Sequence, residues 1–393
     1  MKQTTPNSTK RTRPLQKKVP FECIALVLQG GGALGSYQAG VYEALSEAEL
    51  YPDWVAGISI GAINAAIIAG NAPEDRVAQL RGFWETVTAK PWLDWTESLH
   101  FMAPQGDIAR SIFNKLSADY TLLSGASDFF SLRVPPPFFQ PDGTIEATSF
   151  YDSSALKSTI ERFVDFDRLN KDGMRFSVGA VNVRTGNFIF FDNKTQIIRP
   201  EHIIASGSLP PGFAPTEIDG EFYWDGGLIS NTPLQWVVDG DIRQDTLAFQ
   251  VDLWSAQGHK PRNLTEVFTR QKEIQYSSRT RAATNNFKRV QTVRSALYEL
   301  LEKLPKNLQK GEEVAILKEV ADKKVYNIIQ LIYRARQYEG NCLDYEFSRL
   351  SMNEHWLSGY HDVLHTLRHP QILKRPNNKE GVFTFDFARE GER

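Results

Sequence analysis

Hydrophobic positions in this chain come in short, sharply bounded groups. Residues 22–29 (ECIALVLQ) form an apolar run that stops at Gly30, Gly31 and Gly32, a pattern that predicts a buried strand ended by a turn. Over residues 36–48 the apolar positions Tyr37, Val41, Ala44, Leu45 and Ala48 recur three and four apart, which predicts a helix with one face on a sheet. The unit then repeats: 54–58 (WVAGI) predicts a second strand, 60–69 (IGAINAAIIA) a helix of small and apolar residues, and Ser59 lies in the turn between them. Further along, 175–183 and 188–191 flank Arg184-Thr185-Gly186-Asn187 as a hairpin, and 246–254 predicts one more strand.

Two stretches break this rhythm. Residues 80–150 hold Trp84, Trp92, Trp95, Phe101, Phe129, Phe130, three consecutive prolines (Pro135 to Pro137) and Phe138-Phe139, so they read as an irregular, aromatic insertion over the core. Its rings are expected either to anchor loops or to form a lipid-facing rim. From about 263 the pattern turns charged and helical, with 271–304 and 312–336 as long predicted helices. The cations Arg270, Lys272, Arg279, Arg281, Lys288, Arg289 and Arg294 there read as a solvated helix face, with membrane contact or self-association as the sharper alternative.

With 393 residues and 41% hydrophobic content the chain can bury a large core. A formal net charge of -2 supplies no field to gather nucleic acid, so no nucleic-acid partner is expected. Two cysteines, Cys23 and Cys342, exclude a disulfide scaffold or a cysteine-built zinc site and fit a reducing, cytoplasmic setting. No apolar run approaches the roughly 20 residues that span a bilayer. Residues 1–20 carry Lys2, Lys10, Arg11, Arg13, Lys17 and Lys18 with no acid, and read as a flexible basic tail able to meet anionic lipid transiently.

The candidate chemistry sits at the strand ends. Gly57-Ile58-Ser59-Ile60-Gly61 lies between a predicted strand and a predicted helix, where a nucleophile elbow belongs. Gly57 and Gly61 permit the sharp turn, and the helix beginning there offers unpaired N–H groups and positive dipole to the serine. Gly30, Gly31 and Gly32 end the first strand, so their amides can gather at the same sheet edge as an oxyanion hole, each fixed donor contributing about 3 kcal/mol. The same glycines, with Gly35, also fit a dinucleotide fingerprint, but the second strand runs into the serine turn where that reading needs an acid. Asp225-Gly226-Gly227 follows the aromatic strand Glu221 to Trp224, where Asp225 can point inward.

In that order, the glycine turn, the serine elbow and the late Asp-Gly-Gly resemble the patatin-like phospholipase family over about 22–255. Residues 205–213 (ASGSLPPGF) also look like that family's small-residue helix and proline turn. The resemblance implies a three-layer α/β/α core with a mostly parallel sheet over 21–255, carrying the 80–150 insertion, and a mainly helical C-terminal region over 256–393. It implies Ser59 as nucleophile, Asp225 as its base, an oxyanion hole from Gly30, Gly31 and Gly32, and a lipid ester as substrate, with no cofactor or metal. Many family members carry Arg or Lys where this chain has Leu34, so a cation at that position is absent. A lone carboxylate is a weak base unless burial raises its pKa, so Asp225 is expected in an apolar site near Tyr223 and Trp224. Two rivals stand beside this reading: a Ser-His-Asp esterase using His259, which follows Asp225 in chain order, and an idle fold that only binds a membrane or partner.

Overall fold

The computed structural model describes residues 18–88, 106–171, 173–240, 243–305, 308–309, 311–336, 338–340 and 342–387. The basic tail through Lys17 and the aromatic residues Trp92, Trp95 and Phe101 lie outside them, as do the side chains of Arg279 and Arg281.

Strand β1 (Cys23–Leu28) leads through a 3-10 turn (Gly32–Gly35) into α1 (Ser36–Glu47), and β2 (Trp54–Gly57) leads through Ser59 into α2 (Ile60–Ala69). Helices α3 (Arg76–Val87) and α4 (Asp107–Ser124) come next, then a small ribbon of β3 (Ser131–Leu132) and β4 (Tyr151–Asp152), then α5 (Ser154–Phe163) and α6 (Phe166–Lys171). The hairpin β5 (Arg175–Asn182) and β6 (Phe188–Asp192) is followed by α7 (Pro200–Gly207), β7 (Thr216–Ile218), β8 (Glu221–Asp225), α8 (Leu234–Asp239) and β9 (Thr246–Asp252). The remainder holds α9 (Leu264–Lys303), α10 (Glu312–Val320), β10 (Tyr326–Ile332), α11 (Arg349–Leu367) and β11 (Val382–Phe385).

Among the described residues, nine strands form one mixed, mostly parallel sheet in the order β11-β10-β9-β1-β2-β5-β8-β7, with β6 on β5. Its central strands are covered on both faces. Along β1, Ile24, Leu26 and Leu28 enter one core with α1 and α2, while Cys23, Ala25 and Val27 enter the other with Leu234, Val237 and Val238 of α8 and Phe287 of α9. Burial on both sides is why this strand reads as an unbroken apolar run rather than an alternation.

Register on β5 decides where the chemistry lies. The β6 strand occupies one edge of β5 from Ser177 to Val181. The other edge pairs first with β2, ending at Gly57 opposite Val178, and then with antiparallel β8, ending at Asp225 opposite Ala180. The two strand ends therefore converge on the same short stretch of β5 from opposite directions.

Three expectations need correction. The predicted helix over 312–336 stops at Val320, and residues 326–332 form β10, paired in parallel with β9. With β11 beside it, β10 extends the sheet across the boundary read near 255, so the mainly helical C-terminal region is built into the core. An unpaired β9 would leave its backbone groups without partners, and this non-local demand overrides the helical character of the preceding residues. The aromatic insertion is also less irregular than its composition suggests, since α4 occupies 18 residues of it. Phe130 is a buried anchor, whereas Phe138 and Phe139 are exposed.

The C-terminal region is clasped to the core by a close crossing of α1 and α11. A Cβ on Gly40 would lie 1.8 Å from the Trp356 carbonyl oxygen, and one on Gly359 would lie 2.1 Å from that of Tyr37. No side chain fits between these backbones. Gly359→Ala should therefore destabilise the protein by about 1–3 kcal/mol, although alanine is the better helix former. Urea unfolding followed by circular dichroism checks this; an unchanged or raised midpoint would contradict the crossing.

Candidate active site

Ser59 caps α2 with φ 55° and ψ -125°, a conformation that costs a non-glycine residue on the order of 1–3 kcal/mol. The flanking glycines make it possible by letting backbone touch backbone. A Cβ on Gly57 would sit 2.2 Å from the Gly61 carbonyl oxygen, and one on Gly61 would sit 2.4 Å from that of Leu28. The turn is held from the side as well. Ser59 N–H donates to the buried Ser206 Oγ at 2.9 Å, and Ser206 Oγ donates to the Gly179 carbonyl of β5 at 2.7 Å. Sequence reasoning noticed Ser206 only as part of a small-residue helix; its role as a strut appears only in three dimensions.

Asp225 ends β8 and is 2% exposed. Its N–H donates to the Ser208 carbonyl at 3.0 Å, Oδ1 accepts from Gly227 N–H at 2.7 Å, and the Ser59 side chain lies close enough to act on the carboxyl. Burial pushes the carboxyl up to about 7, with the Gly227 N–H and the Ser59 hydroxyl pulling the other way. The expected desolvation is present, but Tyr223 and Trp224 do not supply the cavity wall around it; Gly227 and Asn231 do.

The glycine turn differs from expectation in one donor. Gly30 N–H is directed to the Asn231 carbonyl at 3.3 Å, so it is not free for a ligand as its two neighbours are. Gly30 carbonyl in turn accepts from Asn231 Nδ2 at 3.0 Å and Trp254 Nε1 at 3.1 Å. Among the described residues, the N–H groups of Gly31 and Gly32 have no hydrogen-bond partner. Gly32 has φ +56°, and a Cβ there would meet the Asp344 carbonyl oxygen at 2.1 Å.

A line of buried amides braces this turn from below. Gln29 Oε1 accepts from the Leu253 and Trp254 N–H groups at 2.6 and 3.0 Å, and the Gln29 carbonyl accepts from Gln38 Nε2 at 2.7 Å. Asn64 Nδ2 donates to Gln38 Oε1 and to the Gly35 carbonyl, both at 2.9 Å, and Asn64 Oδ1 accepts from Trp84 Nε1 at 3.1 Å. Gln29, Gln38, Asn64 and Trp84 are each 0% exposed. A satisfied buried network of this kind fixes geometry, because any member removed leaves its partners unpaired. The available signal was Asn64 standing alone in an otherwise apolar helix.

Ser59, Asp225 and the three glycines line one cavity of about 460 Å³, whose wall is mainly apolar, including Ile63, Phe130, Leu156 and Phe213. No histidine is among its described lining residues. His259 is exposed in the turn after β9 and takes no part in the cavity, which corrects the Ser-His-Asp alternative. Residues from beyond 263 do take part: Lys272 and Tyr276 of α9 and Asp344, Tyr345 and Phe347 form one wall.

The family profile described as Patatin-like phospholipase matches residues 26–237, over half of the chain. The chain belongs to the patatin-like phospholipase family. A second profile, described as Patatin phospholipase, matches residues 274–379, the part that supplies β10 and α11 to this patatin-like protein. Patatin-like phospholipase domain-containing protein 6 of Mus musculus is 39% identical over 213 residues, which are 53% of this chain and 12% of that protein. The chain thus spans only a small part of the length of these curated relatives. Lysophospholipase nte1 of Aspergillus terreus is 45% identical over 58 residues, 15% of this chain and 4% of that protein. The crystal structure of VipD from Legionella pneumophila aligns over 98% of this chain and 78% of its own at 14% identity, with a TM-score of 0.36.

The raised Asp225 carboxyl has a consequence for stability. Between the ordinary carboxylate value of 3.8 and about 7, the folded protein keeps a proton that the unfolded chain has released. Its contribution is complete below that window and is lost as pH rises through it. Asp225→Asn, which cannot ionise, should gain on wild type across this range by at most about 1.4 kcal/mol per pH unit. Urea midpoints measured from pH 4 to 8 check this, and parallel curves for the two proteins would refute the buried carboxyl.

Proposed function

We propose that this protein is a serine lipid acyl hydrolase that cleaves carboxylic esters, phospholipids first and lysophospholipids or neutral lipid esters behind them. The observation that carries the reading is the Ser59 hydroxyl in one apolar cavity with a buried carboxyl whose pKa lies near 7, beside two unused glycine amides. Asp225 accepts the Ser59 proton as Oγ attacks the ester carbonyl, and Gly31 and Gly32 N–H groups receive the developing oxyanion. Collapse of the tetrahedral intermediate expels the alcohol, which takes the proton from Asp225, and leaves an acyl-serine. Water deprotonated by the same carboxylate then attacks the acyl carbonyl, releasing the fatty acid and restoring the serine. Burial matters because an ordinary carboxylate is too weak a base for this exchange near neutral pH.

Ser59→Ala and Asp225→Asn should each lower turnover of a short-chain nitrophenyl ester by at least about a thousandfold. His259→Ala should stay near wild type, and kcat/KM of the wild type should rise with pH to a plateau above about 7. Equal rates in all these proteins would remove the mechanism.

Peripheral contact with a lipid surface is the second part of the proposal. On α4, Ile108, Ile112, Leu116 and Leu123 are 80%, 57%, 65% and 74% exposed and recur at helical spacing, while Leu122 of the same helix lines the cavity. Phe138 and Phe139 are likewise exposed. Among the described residues no helix is long and apolar enough to cross a membrane, so the proposed mode is lying on the interface. Replacing Ile112 and Leu116 together by serine should reduce cosedimentation with phospholipid vesicles by about tenfold. Undiminished cosedimentation would exclude this face.

A further inference from the structure

Apart from Asp225, only two charged side chains among the described residues line the cavity, and both come from the C-terminal region. Lys272 Nζ on α9 donates to Asp344 Oδ1 and Oδ2 at 2.7 and 2.8 Å. The pair is not sealed, since the side chains keep 30% and 24% exposure. Lys272 Nζ also stands 4.9 Å from the centre of the Tyr345 ring, another lining residue. Asp344 is tied directly to the glycine turn: its carbonyl accepts the Ala33 N–H at 2.9 Å and abuts Gly32. A cation, an anion and an aromatic face thus line the same cavity as the two amides available to an oxyanion. Leu34, by contrast, is wholly buried and offers the cavity nothing.

We infer that Lys272, Asp344 and Tyr345 form a headgroup site that selects a zwitterionic lipid, one carrying a phosphodiester and an ammonium, over a lipid with a net negative headgroup. This inference rests on the hydrolase reading above for the place of the scissile ester. In a glycerophospholipid the phosphate lies only a few covalent bonds from the ester, so an ester held at Gly31 and Gly32 brings the phosphate to this wall. A zwitterion can exchange partners with the ion pair, phosphate to Lys272 and ammonium to Asp344, and leave no charge unmatched. The Tyr345 face adds the cation–π surface that suits a quaternary ammonium. An anionic headgroup can engage Lys272 only by displacing Asp344, whose carboxylate is then left unpaired beside a second negative charge.

Binding, not turnover, tests the site, so its failure is separable from failure of the hydrolase. The probes are short-chain, monomeric, ether-linked phosphocholine and phosphoglycerol lipids, which cannot be hydrolysed, titrated by calorimetry into the full-length protein. Wild type should bind the phosphocholine lipid about tenfold more tightly, the loss of one matched charge contact. Asp344→Asn should abolish or reverse that preference by freeing Lys272. Lys272→Gln should weaken both lipids about tenfold, and Lys272→Arg should restore phosphate binding. Equal affinity of wild type for the two headgroups overturns the inference whatever the variants do, and so does an unaltered preference in folded Asp344→Asn protein. Release of fatty acid from the corresponding ester lipids by wild type is the separate readout for the hydrolase itself; its absence would count against that reading alone.

Discussion

The candidate site depends on one edge of one strand. Because β6 occupies the far edge of β5, the near edge is left to β2 and then β8, which approach from opposite directions and stop opposite Val178 and Ala180. Ser59 lies two residues beyond the end of β2, and Asp225 is the last residue of β8. Their closeness is therefore a result of strand register. Ser206, anchored on the Gly179 carbonyl between those two pairing positions, keeps the serine turn in its strained form.

The same register accounts for the electrostatics. A carboxyl at the end of an internal strand is enclosed by the layers that cover the sheet, and no cation offsets the desolvation of Asp225, only the Gly227 N–H and the Ser59 hydroxyl. Such a group holds its proton more tightly than a surface aspartate and exchanges it near pH 7. The glycine turn reaches the same cavity from the end of β1, the neighbour of β2, braced by Gln29, Gln38 and Asn64 beneath and closed by the Asp344 carbonyl above. The C-terminal region is thus joined to the site twice, through the sheet by β10 and through the cavity wall by Lys272 and Asp344.

What was legible in the chain was whatever local chemistry decides. The buried runs of β1 and β2, the small-residue helix α2, the Arg184-Thr185-Gly186-Asn187 hairpin and the glycines around Ser59 all carry their own signals, and each element lies within a residue or two of its expected place. Strand β10 was not legible, because its state depends on the open edge of β9, 80 residues earlier in the chain at Thr246 opposite Tyr326. The engagement of Gly30 N–H by Asn231 was hidden for the same reason, as was the partnership of Lys272 with Asp344, which had looked like part of a solvated charge run. His259 shows the converse: chain order suggested a triad, and the turn after β9 leaves it on the surface.

The most direct measurement of the central claim is the rate at which an organophosphonate ester labels the protein between pH 5 and 9, with the modified peptide located by mass spectrometry. The account predicts a single adduct on Ser59, a rate that climbs to a plateau above about pH 7, and loss of labelling in Asp225→Asn. An adduct elsewhere, or a Ser59 rate indifferent to both pH and the loss of Asp225, would contradict it.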